Sequence, residues 1–151
     1  MKITQASDGC INLIKLSEGF KSKAYLCPAG VSTIGFGNTF YENGAKVTLN
    51  DPEITMERGV ELLKFTLKSF EQYVDSYCRD DINQNQFDAL VDFCYNVGPA
   101  NLKSSTLLKK VNLNPIDESI KLEFAKWNKG GGRILPGLVA RRTAESKLYF
   151  S

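Results

Sequence analysis

Apolar residues recur at helical spacing along most of the 151-residue chain, and one stretch, from Tyr25 to about Val47, breaks that rhythm. Cys10, Ile11, Ile14 and the adjoining Leu13 form an apolar stripe behind Ser7, a suitable N-cap, with Asp8 in the first turn. Gly19 suits the left-handed conformation that ends helices, so the first helix is expected to stop near Ser17-Glu18. The Tyr25–Val47 stretch is rich in Gly, Pro, Asn and β-branched residues and reads as a small twisted sheet of two or three short strands. Thr55 then caps a long helix through about Cys78. Its apolar positions (Val60, Leu63, Phe65, Leu67, Phe70, Val74 and Tyr77) lie on more than one side, as in a partly enclosed helix joining two lobes.

The next start signal is stronger. Asn83 is followed three residues on by Gln86, and Ile82 is placed to pack on Phe87, which together make a capping box and staple. That helix is expected to end at Gly98-Pro99. Ser105 begins a short helix with Leu107 and Leu108, and Pro115 or Ile116 begins another carrying Ile120, Leu122, Phe124 and Trp127. After a Gly130-Gly131-Gly132 break, Pro136 fits the first turn of a last helix bearing Leu138, Val139, Leu148 and Tyr149. The expected class is α+β: a small β lobe near 18–55, a connecting helix near 56–80, and a helical lobe of 81–151 joined by the N-terminal helix 1–17.

Composition narrows the chemistry mainly through what is missing. The sequence has no histidine, which excludes Ser-His and Cys-His nucleophile pairs, His-bearing zinc sites and imidazole bases. Acid–base chemistry must then use carboxylates, thiols, Lys or Tyr. An apolar fraction of 42%, a charged fraction of 24% and a net charge of +2 describe an ordinary globular chain and give no argument for a nucleic-acid partner. Cys10, Cys27, Cys78 and Cys94 are widely separated, and their pairing is not fixed by spacing. Met1 to Phe20 holds no unbroken apolar run, so neither a signal peptide nor a membrane anchor is expected.

Three residues stand out as chemistry. Glu18 falls where a helix should end, and the negative end of the helix dipole disfavours its ionisation, as suits a general acid. Cys27 and Thr33 bracket the Pro28-Ala29-Gly30 turn, so a thiol with some thiolate at neutral pH and a hydroxyl able to fix a water are expected at one hairpin. Taken singly, each has a plain alternative: a solvated Glu, a buried Cys, a strand Thr.

The spacing Glu18, Cys27, Thr33 resembles the catalytic pattern of the phage lysozyme (endolysin) family, glycoside hydrolase family 24, in which the middle position is Asp or in some members Cys. Further blocks of that family follow in order: Leu16-Ser17-Glu18-Gly19-Phe20, Thr33-Ile34-Gly35-Phe36-Gly37-Asn38-Thr39, Phe93-Cys94-Tyr95-Asn96-Val97-Gly98, Ser105-Thr106-Leu107-Leu108, Trp127 to Arg133, and Leu135-Pro136-Gly137-Leu138 with Arg141-Arg142 and Glu145. Two departures are visible: Asn38 stands where many relatives have histidine, and Cys27 replaces the commoner Asp.

The resemblance implies a lysozyme-like two-lobe fold and an N-acetylmuramidase acting on peptidoglycan glycan strands without metal or cofactor. Glu18 would be the acid, and Cys27 would act on water or attack the anomeric carbon itself. Thr33 would position the water. It places Thr39, Tyr95, Asn96 and Thr106 along the sugar groove; Arg133 and the Arg141-Arg142 pair either attract anionic glycan or cap the last helices. It also implies a monomer without stable membrane insertion, held in the host cytoplasm until a holin releases it. A lytic transglycosylase and a non-catalytic glycan-binding or membrane-perturbing protein remain as rivals.

Overall fold

In the computed structural model, which describes residues 2–151, the first helix starts where its cap chemistry places it. The Ser7 hydroxyl accepts from the Gly9 N–H at the head of α1 (Asp8–Glu18), and the Ser7 N–H donates to Asp88 at 2.9 Å, tying this start to a later helix. Gly19 ends α1 at φ 69°, and its N–H returns to the Lys15 carbonyl. Strand β1 (Lys21–Leu26) pairs antiparallel with β2 (Ser32–Gly35), with Tyr25 opposite Thr33 and Leu26 opposite Ser32. The sheet begins before Tyr25, contrary to expectation. Lys21, Ser22 and Lys23 look like loop in composition, yet only Ala24 of this run needs burial for the strand to pack.

Helix α2 (Met56–Tyr77) is capped by Thr55, and α3 (Gln84–Val97) carries the full Asn83/Gln86 capping box. Gly98 ends α3, but Pro99 at once starts α4 (Pro99–Ser104), because a proline without an N–H fits a first turn. Ser105 caps α5 (Thr106–Leu113). The expected start at Pro115 or Ile116 is corrected to α6 (Ile120–Ala125): Asn114 and Asp117 take the Ile116 and Ser119 N–H groups on their side chains, holding turns instead. The triple-glycine break is a hairpin of β3 (Lys129–Gly130) and β4 (Arg133–Ile134), with Gly131 and Gly132 at φ 58° and 78° supplying a two-residue turn. Helix α7 (Pro136–Tyr149) closes the fold.

Two hydrophobic clusters organise these elements. The larger gathers α1, α3, α5, α6 and α7 around Phe87, Leu90, Phe93 and Phe124, with Phe93 edge-on to Phe124 and Trp127 at 5.7 and 5.6 Å. The smaller joins Ala24, Ile34 and Val47 to Leu62. Consecutive residues of α2 serve both: Leu62 packs on the sheet, while Leu63 and Leu67 enter the larger core. That division is how one helix connects two lobes. Leu122 and Val139, named among the apolar residues of their helices, face solvent.

Candidate active site

Glu18 ends α1 with its side chain partly open to solvent, and Arg141 Nη1 donates to it at 2.7 Å. The other two nitrogens of Arg141 grip Asp92, at 3.1 Å from Nε and 2.8 Å from Nη2. Arg141 and Asp92 are both buried, so this is a two-pronged pair shielded from water. Burial opposes the Arg141 charge, but the hydrogen bonds to Asp92 and Glu18 outweigh it and push its pKa up.

The neighbouring Arg142 is buried too. Its Nη2 donates to Asn96 Oδ1 and to Glu145 Oε1, each at 2.8 Å, and its guanidinium lies over the Phe93 ring. Of the two alternatives for the Arg141-Arg142 pair, attraction of anionic glycan does not fit, because both guanidiniums point inward to Asp92 and Glu145. Burial, and then a hydrogen bond to Asp92, push the Glu145 carboxyl well above its ordinary range. Glu145 Oε2 has no hydrogen-bond partner among the described residues, and the nearby Asp92 disfavours the charged form of its carboxyl.

The hairpin turn builds a second group. The Cys27 N–H donates to the Val31 carbonyl, and the Gly30 N–H donates back to the Cys27 carbonyl at 2.8 Å, with Gly30 at φ 78°. The Val31 and then the Ala29 N–H groups face the Cys27 sulfur and lower its pKa, joined by the Thr33 hydroxyl, while partial burial works against them. Thr33 is buried, and its hydroxyl reaches the Val31 carbonyl at 2.9 Å. The other cysteines behave differently: burial pushes Cys78 and Cys94 up to about 12 and raises Cys10 as well. All four are free thiols. Cys27 alone among them has its pKa lowered.

The remaining candidates are dispersed. Tyr95 stands near Glu18 and donates its hydroxyl to the Phe36 carbonyl at 2.8 Å, bridging α3 to the segment after β2. Burial raises its pKa. Asn96 lines a cleft of about 350 Å³ with Trp127, Lys126 and Lys129. Thr39 lines a different pocket beside α2, Thr106 is exposed at the start of α5, and Arg133 is exposed on the β3–β4 hairpin. Among the described residues, no group of His, Cys, Asp or Glu is arranged to hold a metal ion. Sequence reasoning missed Asp92 and the inward role of Arg141. The available signal was an acid inside the apolar rhythm of α3 and Glu145 one turn beyond the arginine pair.

The phage lysozyme family model matches residues 15–145. An endolysin of Bacillus phage B103 is 41% identical over 153 aligned residues, covering 100% of this chain and 55% of that protein. The chain spans about half the length of the Bacillus phage relatives it matches. A crystal structure of a P22 lysozyme mutant superposes with a TM-score of 0.89 at 34% identity, covering 99% of this chain and 100% of the other. The muramidase domain of SpmX from Asticaccaulis excentricus gives a TM-score of 0.82 at 29% identity, covering 97% and 98%.

Proposed function

The chain belongs to the phage lysozyme family, and from that premise we propose that it is an endolysin-type muramidase. It hydrolyses the β-1,4 bond between N-acetylmuramic acid and N-acetylglucosamine in peptidoglycan. The observation that carries the site assignment is the Cys27–Thr33 turn, whose N–H and O–H groups lower one thiol while burial raises the other three.

In this reading Glu18 gives its proton to the leaving glycosidic oxygen, and the carboxylate that remains is stabilised by Arg141. The Cys27 thiolate takes a proton from water as the water oxygen bonds to the anomeric carbon and the glycosidic bond breaks. The Thr33 hydroxyl orients that water. Attack from the face opposite the acid inverts the anomeric centre, which requires room for water between the two groups, about 6.5–9.5 Å in general. Thr39, Tyr95, Asn96, Thr106 and Arg133 are assigned to glycan contacts. The protein acts as a monomer, waits in the host cytoplasm and reaches the wall through a holin lesion. No described helix is long and apolar enough to cross a membrane.

The test is digestion of purified cell wall, with products followed by NMR and mass spectrometry. Reducing ends that appear first as the α-anomer are expected. Glu18→Gln and Cys27→Ala are each expected to reduce turnover about a thousandfold. Anhydro-muramyl ends would convert the reading to a transglycosylase, and wall clearing that survives Glu18→Gln would remove the enzyme reading altogether.

A further inference from the structure

The proposed acid and the thiol–hydroxyl couple stand on different lobes. Glu18 ends α1, while Cys27 and Thr33 belong to the β1–β2 hairpin. The gap between them is therefore set by how the lobes meet, and neither lobe fixes it alone.

One hydrogen bond joins the lobes directly. Tyr95 on α3 donates its hydroxyl to the Phe36 carbonyl at 2.8 Å. Among the described residues, no other hydrogen bond runs from α1 or α3–α7 to residues 20–55; Asn38 and Glu42 reach α2 instead. Phe36 is also where the small lobe enters the larger core. It is the one residue of 20–55 buried in that cluster, and its ring lies 5.3 Å from Phe20.

Both sides of this bond are stiff. Ile34 and Asn38 exchange backbone hydrogen bonds at 2.9 Å each, with Gly35 and Gly37 flanking Phe36 at φ 67° and 96°, so Phe36 is the tip of a closed turn. Thr33 directly precedes that turn on β2, and a shift of the tip is carried straight to it. Across the gap, the buried Tyr95 ring is edge-on to Phe70 with centroids 5.2 Å apart. A Cβ at Gly37 would come within 3.5 Å of the Tyr95 hydroxyl, so the turn lies close against it.

We propose that Tyr95 is a positioning residue whose hydroxyl, by holding the 34–38 turn against α3, sets the gap between Glu18 and the Cys27–Thr33 couple. Catalytic groups need placement to about half an ångström, and a single tie at the tip of a stiff turn can supply it. Phenylalanine would keep the ring and the packing on Phe70 but leave a buried carbonyl without its donor. The proposal rests on the muramidase reading for its kinetic consequence, while the tie itself is measurable without activity.

The test compares Tyr95→Phe with Tyr149→Phe. Tyr149 makes the same kind of bond, hydroxyl to the Pro115 carbonyl at 2.7 Å, but wholly within the helical lobe. It therefore controls for stability lost with a buried tyrosine hydroxyl. NMR residual dipolar couplings give the alignment of each lobe separately. The two alignments should coincide in wild type and Tyr149→Phe and diverge in Tyr95→Phe; coincidence in all three proteins overturns the proposal. Wall-digestion kinetics, run well below every melting temperature, should show kcat about tenfold lower in Tyr95→Phe with KM within about twofold. Tyr149→Phe should keep kcat within about twofold. An equal kcat loss in both variants would reduce Tyr95 to a structural part, and a raised KM with native kcat would make its hydroxyl a sugar contact; either result rejects the positioning role. Divergent lobes in Tyr95→Phe beside a wild type that digests no wall would remove the muramidase reading and leave the tie standing.

Discussion

Arg141 donates to Glu18 with one nitrogen and to Asp92 with the other two, so the last residue of α1 is held from α7 against a fixed point on α3. The proton donor of the proposed reaction is thus positioned by the helical core and not by the loop that follows it. Arg141→Met would strand the buried Asp92 carboxylate, and loss of one partner of such a pair costs about 3–5 kcal/mol. Arg141→Lys keeps the charge but cannot reach both carboxylates in a forked geometry. It is expected to fold with reduced stability and to lose turnover more than KM. Urea unfolding and wall-digestion kinetics on both variants check this, and a lysine variant with native kcat would dismiss the positioning role.

The Cys27 environment fixes the direction of a pH dependence. A base must be unprotonated to accept from water, so activity falls as pH drops through the thiol's titration. The N–H groups of Val31 and Ala29 lower that titration below its ordinary place, which moves the acid limb into more acidic solution than a free thiol would give. Cys27→Asp should keep much of the activity and shift the limb further to acid, because a carboxyl titrates lower than a thiol. Cys27→Ala should have no limb because it has almost no activity. The pH profile of kcat/KM for the three proteins is the measurement, and identical limbs for Cys and Asp would show that the residue is not the base.

Local signals were legible in the sequence, and signals that need tertiary partners were not. Ser7, Thr55, Asn83 and Ser105 each cap the helix they were expected to cap, because capping involves only the next few N–H groups. The start of α6 was misplaced because Asn114 and Asp117 hold turns that compete with helix at the same N–H groups. The glycines after Lys129 were read as a break, whereas two adjacent positive-φ residues form the turn of a short hairpin. The partners of Arg141 and Arg142 are the least legible, since only the packing of α7 on α3 reveals the acids that take both guanidiniums inside. Glu18, Cys27 and Thr33 were picked out by motif spacing and lie on adjoining elements, α1 and the β1–β2 hairpin.

Glu145 gives a stability test that does not involve catalysis. Burial and the neighbouring Asp92 raise its folded-state pKa well above that of an unfolded glutamate. For a raised carboxyl, the stabilisation is fully present below the unfolded value, about 4.3, and declines as pH rises through the folded value. Glu145→Gln keeps an oxygen for Arg142 and a donor for Asp92 but does not titrate. The variant's stability should therefore fall less steeply than wild type on the alkaline side. Denaturant midpoints across a pH series check this, and parallel curves would mean that Glu145 is ionised in the folded protein.

Asn38 ties the small lobe to α2 through its side-chain amide. Its Nδ2 donates to Thr66 Oγ1 at 2.7 Å and to the Leu62 carbonyl at 3.4 Å, while the residue is almost wholly buried. A neutral tie of this kind contributes independently of pH. Asn38→Ala removes the donor from two buried acceptors and should cost about 1–3 kcal/mol at every pH where the protein folds. Asn38→Asp is the sharper variant. Protonated, it can donate to the Leu62 carbonyl in place of the amide; ionised, it faces that carbonyl with no donor except the Thr66 hydroxyl. Burial then raises its folded pKa, so the aspartate variant should be most stable in acid and lose stability as pH rises through that value. Thermal melts of the three proteins at acid and neutral pH decide the matter: a neutral-pH melt of Asn38→Asp equal to wild type would show that the amide donors are not what joins the hairpin to α2.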